Sequence, residues 1–283
     1  MPSALTHISD TARWVAVIRG REALQKHPLF HDHLALTLAG AHGESIEGLM
    51  RLRGRMPDWP IVMRTVVLDE QVLRVVREGV DMVIDLAAGL DVRPYRLDLP
   101  QDLVWVDVDL PAITAEKNAL LANEIPKCRV ERHAVDLADA TARRALFAEL
   151  GARCKKALIL TEGLLIYLTE EQVSGLATDL AAVPTFRYWT MELASKALLP
   201  YLNRNVGKHL AEAGMPMQWG SETGPHFFER FGWHIVEWRS MFKEAGKHHR
   251  LPWFYQLLSR LPEPSPPWKR PWSGVCLFER ADR

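Results

Sequence analysis

An α/β fold on a mostly parallel sheet is the class predicted for this chain of 283 residues, and three observations point to it. From residue 82 onward, short apolar runs alternate with helical stretches, the rhythm of βαβ units with helices on both faces of a sheet. The first such run opens VIDLAAGLDVRPYRL over 83–97: Val83, Ile84 and Leu86 suit a strand buried on both faces, and Ala87, Ala88 and Gly89 then remove bulk where it ends. Finally, 48% hydrophobic and 25% charged residues describe an ordinary globular chain, long enough for one large α/β domain with a cap or insertion.

The elements follow in order. Ser9 and Asp10 can cap a helix running to about Gln25, with Trp14, Val17, Ile18 and Leu24 on its apolar side. Further helices are predicted over 29–39 and 61–78. Between them, 43–60 has no clear period, carries Arg51, Arg53 and Arg55, closes on Pro57-Asp58-Trp59-Pro60, and reads as a mobile lid. Strands are predicted over 82–87, 103–108, 129–134, 157–161 and 187–192, with helices over 111–123, 140–150 and 170–182. A long helical stretch over 195–214 and another helix over 225–231 precede two last strands, 233–238 and 274–280. The proline-rich 262–271 hands the chain to the final strand in extended form. One domain over 1–283 is expected, divided into a helical cap or lid (1–80), a βα core (81–194), a second helical region (195–271) and the final strand (272–283).

Composition excludes several classes. Lys plus Arg and Asp plus Glu are 35 each, so no global basic field attracts nucleic acid or anionic lipid. No apolar run approaches the ~20 residues of a membrane span, and the N-terminus lacks a secretion-signal layout, so a cytoplasmic protein without a membrane partner is expected. The 3 cysteines, Cys128, Cys154 and Cys276, are far apart and read as packing residues. Of the 11 histidines, neither the pair His31 and His33 nor His248 and His249 sits in a metal-binding pattern, so no metal is assigned.

The chemistry is expected at strand ends, just outside which open parallel sheets bind ligands. The turn at Gly89 could let backbone N–H groups approach a ligand, or could be a plain connection; polar Asp91, Arg93, Tyr95 and Arg96 crowding one turn favour a ligand. Asp107 and Asp109 close VWVDVDLP on the same face, where a carboxylate could accept both ribose hydroxyls of a nucleoside. Asp109, nearer the loop, is preferred over Asp107, though it could instead cap the helix ahead of Pro111. Asp136 could meet an adenine amino group while Leu137 packs on the ring, or could cap the next helix. Glu162, between an apolar strand and Gly163, needs a cation to offset its burial and is a candidate for a ligand amine.

Four strings, ISDTARWVAVIRGREAL with LFHDHLA, RTVVLDEQV over 64–72, VIDLAAGLDVRPYRL, and TEGLLIYL, together resemble the leucine carboxyl methyltransferase family, including its bacterial polyketide-type O-methyltransferase branch. The likeness covers about residues 8–170, with GWHIVEW a weaker match later. It implies a Rossmann-like class I methyltransferase sheet, mostly parallel with its last strand antiparallel, an N-terminal helical cap and a late helical insertion, and S-adenosylmethionine as cofactor. It also implies roles: Arg64 for the cofactor's carboxylate, Asp85 to Gly89 for the wall beside its methionine portion, Asp109 for the ribose, Asp136 and Leu137 for adenine, and Glu162 near the amino group. Ala87 departs from the family, standing where many relatives carry glycine.

Within that resemblance, a methyl ester formed on a carboxylate of a small molecule or peptide C-terminus is the leading function. A carboxylate (pKa ~4) is already ionised at neutral pH, whereas a phenol (~10) usually needs a base. The alternatives are a phenolic or hydroxyl O-methyltransferase, a NAD-type oxidoreductase, for which Gly89 alone is a poor phosphate turn, and a non-catalytic cofactor-binding protein. Acceptor contacts are expected from the cap and from 195–271. Tyr167, Tyr95, Trp14 and His226 are the candidates, with Trp219 and Trp253 as further aromatic walls.

Overall fold

Runs such as Val83-Ile84 and Leu158-Ile159-Leu160 carry apolar side chains toward both faces, which only a strand covered on both sides can bury. The computed structural model, which describes residues 9–53, 57–207, 210–211, 214, 216–262 and 269–281, places both at the centre of one sheet. Three helices come first: α1 (Ser9–Ala23), α2 (Ala35–Arg53) and α3 (Trp59–Arg77). The βα core follows as β1 (Met82–Leu86), α4 (Arg93–Arg96), β2 (Val104–Asp109), α5 (Pro111–Leu120), β3 (Arg129–Ala134), α6 (Ala140–Arg153), β4 (Ala157–Thr161), α7 (Glu170–Ala181) and β5 (Phe186–Ala194). The chain ends with α8 (Leu199–Leu202), β6 (Trp233–Ser240), α9 (Met241–Lys247), α10 (Trp253–Leu258) and β7 (Ser273–Arg280).

The sheet order is β3-β2-β1-β4-β5-β7-β6. The first five strands are mutually parallel, and β7 runs antiparallel between β5 and β6. The period of two sorts side chains to opposite faces. Val83, Leu158, Leu160, Val275 and Leu277 pack with α1, α3 and α9. Ile84, Ile159, Cys276 and Phe278 face α6, α7 and a 3-10 segment, Gly224–Phe231. There Trp189 packs edge-on against Phe228 and Trp233, at ring separations of 5.2 and 5.4 Å.

Two predicted features are corrected. The segment 43–60, expected to lack regular structure, is helical as far as Arg53, because Ile46 and Met50 bury one side of α2 and a kink at Gly40 (φ 60°) lets the helix turn onto the core; Trp59 and Pro60 open α3. Residues 54–56 of that segment, with Arg55, lie outside the described residues, as do the side chains of Arg51 and Arg53. The long helix expected over 195–214 is broken into a 3-10 turn (Lys196–Leu198), α8 and a π turn (Asn203–Gly207). Pro200 sits in the first turn of α8, and the Asn203 side chain donates to the Met217 carbonyl at 3.1 Å, diverting the chain. Most of the proline-rich connection, 263–268, lies outside the described residues. Cys128, Cys154 and Cys276 are free and buried. Among the described residues no group of three or more metal-ligating side chains is assembled, and no helix is long and apolar enough to cross a membrane.

Candidate active site

Register assembles the site. Parallel pairing of Leu86 with Val108 and with Thr161, and of Thr161 with Met191, brings Ala87, Asp109, Glu162 and Glu192 to the carboxyl edge of adjacent strands. The β1 turn is tight: Ala87 (φ 57°) and Gly89 (φ 47°) both lie in the left-handed region. Gly89 N–H donates to Asp109 Oδ2 and Leu110 N–H to Oδ1, each at 2.7 Å. A β-carbon on Gly89 would come within 3.2 Å of the Ala12 methyl, so α1 crosses directly over this turn.

Asp107, one pleat deeper, is committed to structure, with Lys117 Nζ at 2.7 Å, Arg132 Nε at 3.2 Å and the Trp105 indole at 3.0 Å. Asp109, at the end of β2, is only partly buried. Burial raises its pKa, opposed by the hydrogen bonds from Gly89 and Leu110.

On the other side of β1, Arg64 of α3 reaches the strand ends. Its Nε lies 2.9 Å from Glu162 Oε1, and its Nη1 pairs with Glu192, whose Oε1 accepts the Gly163 N–H at 2.9 Å. Glu162 Oε2 lies 2.8 Å from Arg93 Nη1. Arg93, fully buried, also holds Asp91 and, at 2.7 Å, Asp69, which Arg96 clamps at 2.6 and 2.7 Å; Arg19 meets Asp32 at 3.0 Å beside them. Burial drives the Glu162 pKa up, but Arg64 and Arg93 outweigh it and leave the group below the usual range. Glu192 goes the other way, raised by burial against the pull of Arg64. Burial, reinforced by Asp91 and Asp107, pushes the Asp85 carboxyl well above its ordinary value.

The structure thus brings Arg64, Asp85, Gly89, Asp109 and Glu162 to one edge. Tyr167, in the 3-10 turn Leu165–Tyr167, joins them; its hydroxyl is pushed up to about 12 by burial and by Glu192, with Arg64 opposing. Asp136 stands exposed past the end of β3, accepting the Ala138 N–H at 2.9 Å, and Leu137 packs beside it on the α6 face. Capping α6 falls to Asp139, which accepts from Thr141 and Ala142, so Asp136 is not the cap. Other candidates lie apart. Tyr95 is buried with its hydroxyl accepting from Arg132 at 2.6 Å, and Trp14 packs in the helical core. His226 pairs with Glu229 at 2.9 Å on the 3-10 segment behind the sheet, and Trp219 stacks with Phe227 there. Trp253 is exposed on α10. Glu192 escaped sequence reasoning, although TMELAS shows the same signal as the other strand ends, an acid closing an apolar run.

The position of Ala87 needs positive φ, which a β-carbon penalises, so glycine would suit it better. Ala87→Gly should therefore raise unfolding stability by about 1 kcal/mol, read from urea midpoints; an unchanged or lower midpoint would mean that the turn is not strained.

A zwitterionic, nucleoside-bearing ligand fits this edge. Arg64 offers a fork and Glu162 and Glu192 carboxylates, both Glu162 oxygens are held in ion pairs with Arg64 and Arg93, and, among the described residues, Asp85 Oδ2 and Arg93 Nη2 find no hydrogen-bond partner. Asp109 waits at the next strand end. A sheet in this order, open at that edge, is the class I methyltransferase fold. Two solved structures share the fold. A DUF574 family protein from Streptomyces avermitilis matches with TM-score 0.63 at 14% identity over 98% of both chains. A Thermobifida fusca protein described as a methyltransferase gives 0.61 at 17%, over 99% of this chain and 96% of that one. Among relatives named S-adenosyl-L-methionine-dependent methyltransferases, one from Parafrankia is 34% identical over 61% of this chain; the match spans 58% of the relative's length. One from Mycolicibacterium smegmatis is 29% identical over 86% of this chain and 88% of its own. The leucine carboxyl methyltransferase profile matches residues 12–181, and the chain belongs to that family.

Proposed function

We propose that this methyltransferase forms a methyl ester on a carboxylate acceptor, a small molecule or a peptide C-terminus. The supporting observation is the character of the ionisable groups at the strand ends. Tyr167 is held protonated, Glu162 is drawn below the usual carboxylate range by Arg64 and Arg93, and Glu192 is ion-paired with Arg64, so these three groups are engaged rather than free to deprotonate a phenol. A carboxylate acceptor needs no such base.

When bound, S-adenosylmethionine supplies an electrophilic methyl group on a sulfonium. In our reading, Arg64 holds the cofactor's carboxylate with its planar fork, and Glu162, itself fixed by Arg93, faces the amino group. The β1 turn at Asp85 to Gly89 walls the methionine portion, Asp109 accepts from the ribose hydroxyls, and Asp136 with Leu137 receives the adenine. α1 crosses over Gly89, and a site covered there would favour reaction between an anion and a sulfonium by keeping water out. Tyr167 contacts the acceptor.

Turnover with a panel of carboxylic acids and phenols, read by mass spectrometry with alkaline hydrolysis, tests the reading. A base-labile methyl ester is expected; a base-stable aryl ether would replace it with phenolic O-methylation. Arg64→Lys should weaken S-adenosylhomocysteine binding by about tenfold, because an ammonium cannot reproduce the fork, and leave adenosine binding unchanged. Calorimetry decides, and equal affinity of both proteins for S-adenosylhomocysteine would make Arg64 purely structural.

A further inference from the structure

We propose that the face formed by α9 and α10 docks on an anionic lipid bilayer. α10 reads WFYQLL, and Trp253, Phe254, Tyr255, Leu257 and Leu258 are 38% to 79% exposed, with Leu261 at 59% just beyond. Exposed aromatic and aliphatic side chains so concentrated are unusual for a surface facing only water. The segment is not loosely attached. Lys243 Nζ donates to the Ser259 carbonyl at 2.7 Å, the Gln256 amide donates to the Gly246 carbonyl, and Arg250 ties the α9–α10 turn to Glu22 of α1 at 2.6 Å. The apolar side chains therefore stand on a fixed base.

Beside them is a cavity of about 310 Å³ lined by Lys243, Lys247, His249, Gln256, Ser259 and Arg260 together with Gly246. No acid lines it. Over 241–262 the only acidic residue is Glu244, which is buried and already paired with Arg239 and Lys247, each at 2.6 Å. The chain as a whole is neutral, so this local excess of positive charge is a property of the face. Aromatic and aliphatic groups beside a cationic basin match the two layers of a bilayer surface: apolar side chains enter the acyl boundary, and the cations meet lipid phosphate. A second copy docked by two-fold symmetry would instead set the same cations against one another. α9 starts at Ser240, the carboxyl end of β6, which runs parallel to β1. α9 thus starts from the same sheet edge that carries Asp109 and Glu162. The inference amends the expectation, drawn from net charge, that no membrane is a partner.

The test is sedimentation of the full chain with vesicles of phosphatidylglycerol mixed into phosphatidylcholine against phosphatidylcholine alone, with tryptophan fluorescence in parallel. Binding at least about tenfold tighter to the anionic vesicles, weakening with salt, is expected. The double variant Trp253→Ser with Phe254→Ser should lose vesicle binding. Lys247→Glu with Arg260→Glu should lose the preference for anionic lipid. Both should retain S-adenosylhomocysteine affinity and the native circular dichroism spectrum. Equal binding to both vesicle types, binding of soluble glycerol phosphate without vesicle binding, or a dimer in light scattering that the Trp253 and Phe254 changes dissolve would each overturn the proposal.

Discussion

Methionine in place of Arg93 is expected to cost the fold about 3–5 kcal/mol, the range for breaking a buried ion cluster by removing one partner. Arg93 is 0% exposed and holds Asp69, Asp91 and Glu162, which belong to α3, the β1–α4 turn and the end of β4. Without the guanidinium, three carboxylates remain buried, with Arg96 still paired to Asp69 and Arg64 to Glu162 but no direct ion pair left at Asp91 among the described residues. Urea unfolding at neutral pH measures the loss, and a change under about 1 kcal/mol would show that the carboxylates find water or take up protons at little cost. The pH dependence separates these outcomes. Asp91 and Glu162 have depressed folded-state values, so their contribution is complete above the ordinary carboxylate range and is lost as pH falls through their folded values. Asp85 and Glu192, raised in the fold, act in the opposite sense: they favour the folded state most below the ordinary range and lose that advantage as pH rises. The wild type should therefore show a steep acid limb from Asp91 and Glu162, and Arg93→Met should flatten it.

Asp109→Ala is expected to weaken S-adenosylhomocysteine binding by about 1–3 kcal/mol, the worth of hydrogen bonds to a charged group. The same loss should appear with adenosine, because the carboxylate is assigned to the ribose. That pattern is the converse of Arg64→Lys, which should spare adenosine, so two variants and two ligands map the two ends of the cofactor. Asp109 also accepts the N–H groups of Gly89 and Leu110, and its removal loosens the β1 turn. Asp109→Asn keeps one acceptor oxygen and isolates the charge. Wild-type affinity for adenosine in Asp109→Ala would reject the ribose assignment and leave the residue as a brace for the turn.

The strands were legible because burial on both faces leaves a mark in sequence: β3 and β4 have the expected bounds, and the others differ by one or two residues at an end. Strand-end acids were legible for a related reason, since a carboxylate closing an apolar run stands out locally. Asp107 and Asp109 could not be separated by pattern, as both point to one face; Lys117 and Arg132, from α5 and β3, separate them. Helix breaks over 195–214 were missed because helix propensity is weak when tertiary contacts redirect the chain.

By itself, the sequence determined the α/β class, the strand sites, the acidic residues that close them and the family they resemble. These are matters of local periodicity and of polar residues set in apolar surroundings. Only the tertiary structure decided which charges meet. Arg19, Asp32, Asp69 and the α4 pair Arg93 and Arg96 come from four separate segments, and their pairing rests on α1 and α3 packing against the β1 turn. Likewise, Glu192 reaches Arg64 because β5 aligns with β4. Ion pairs between distant segments leave no period in a sequence, and burial determines their energies.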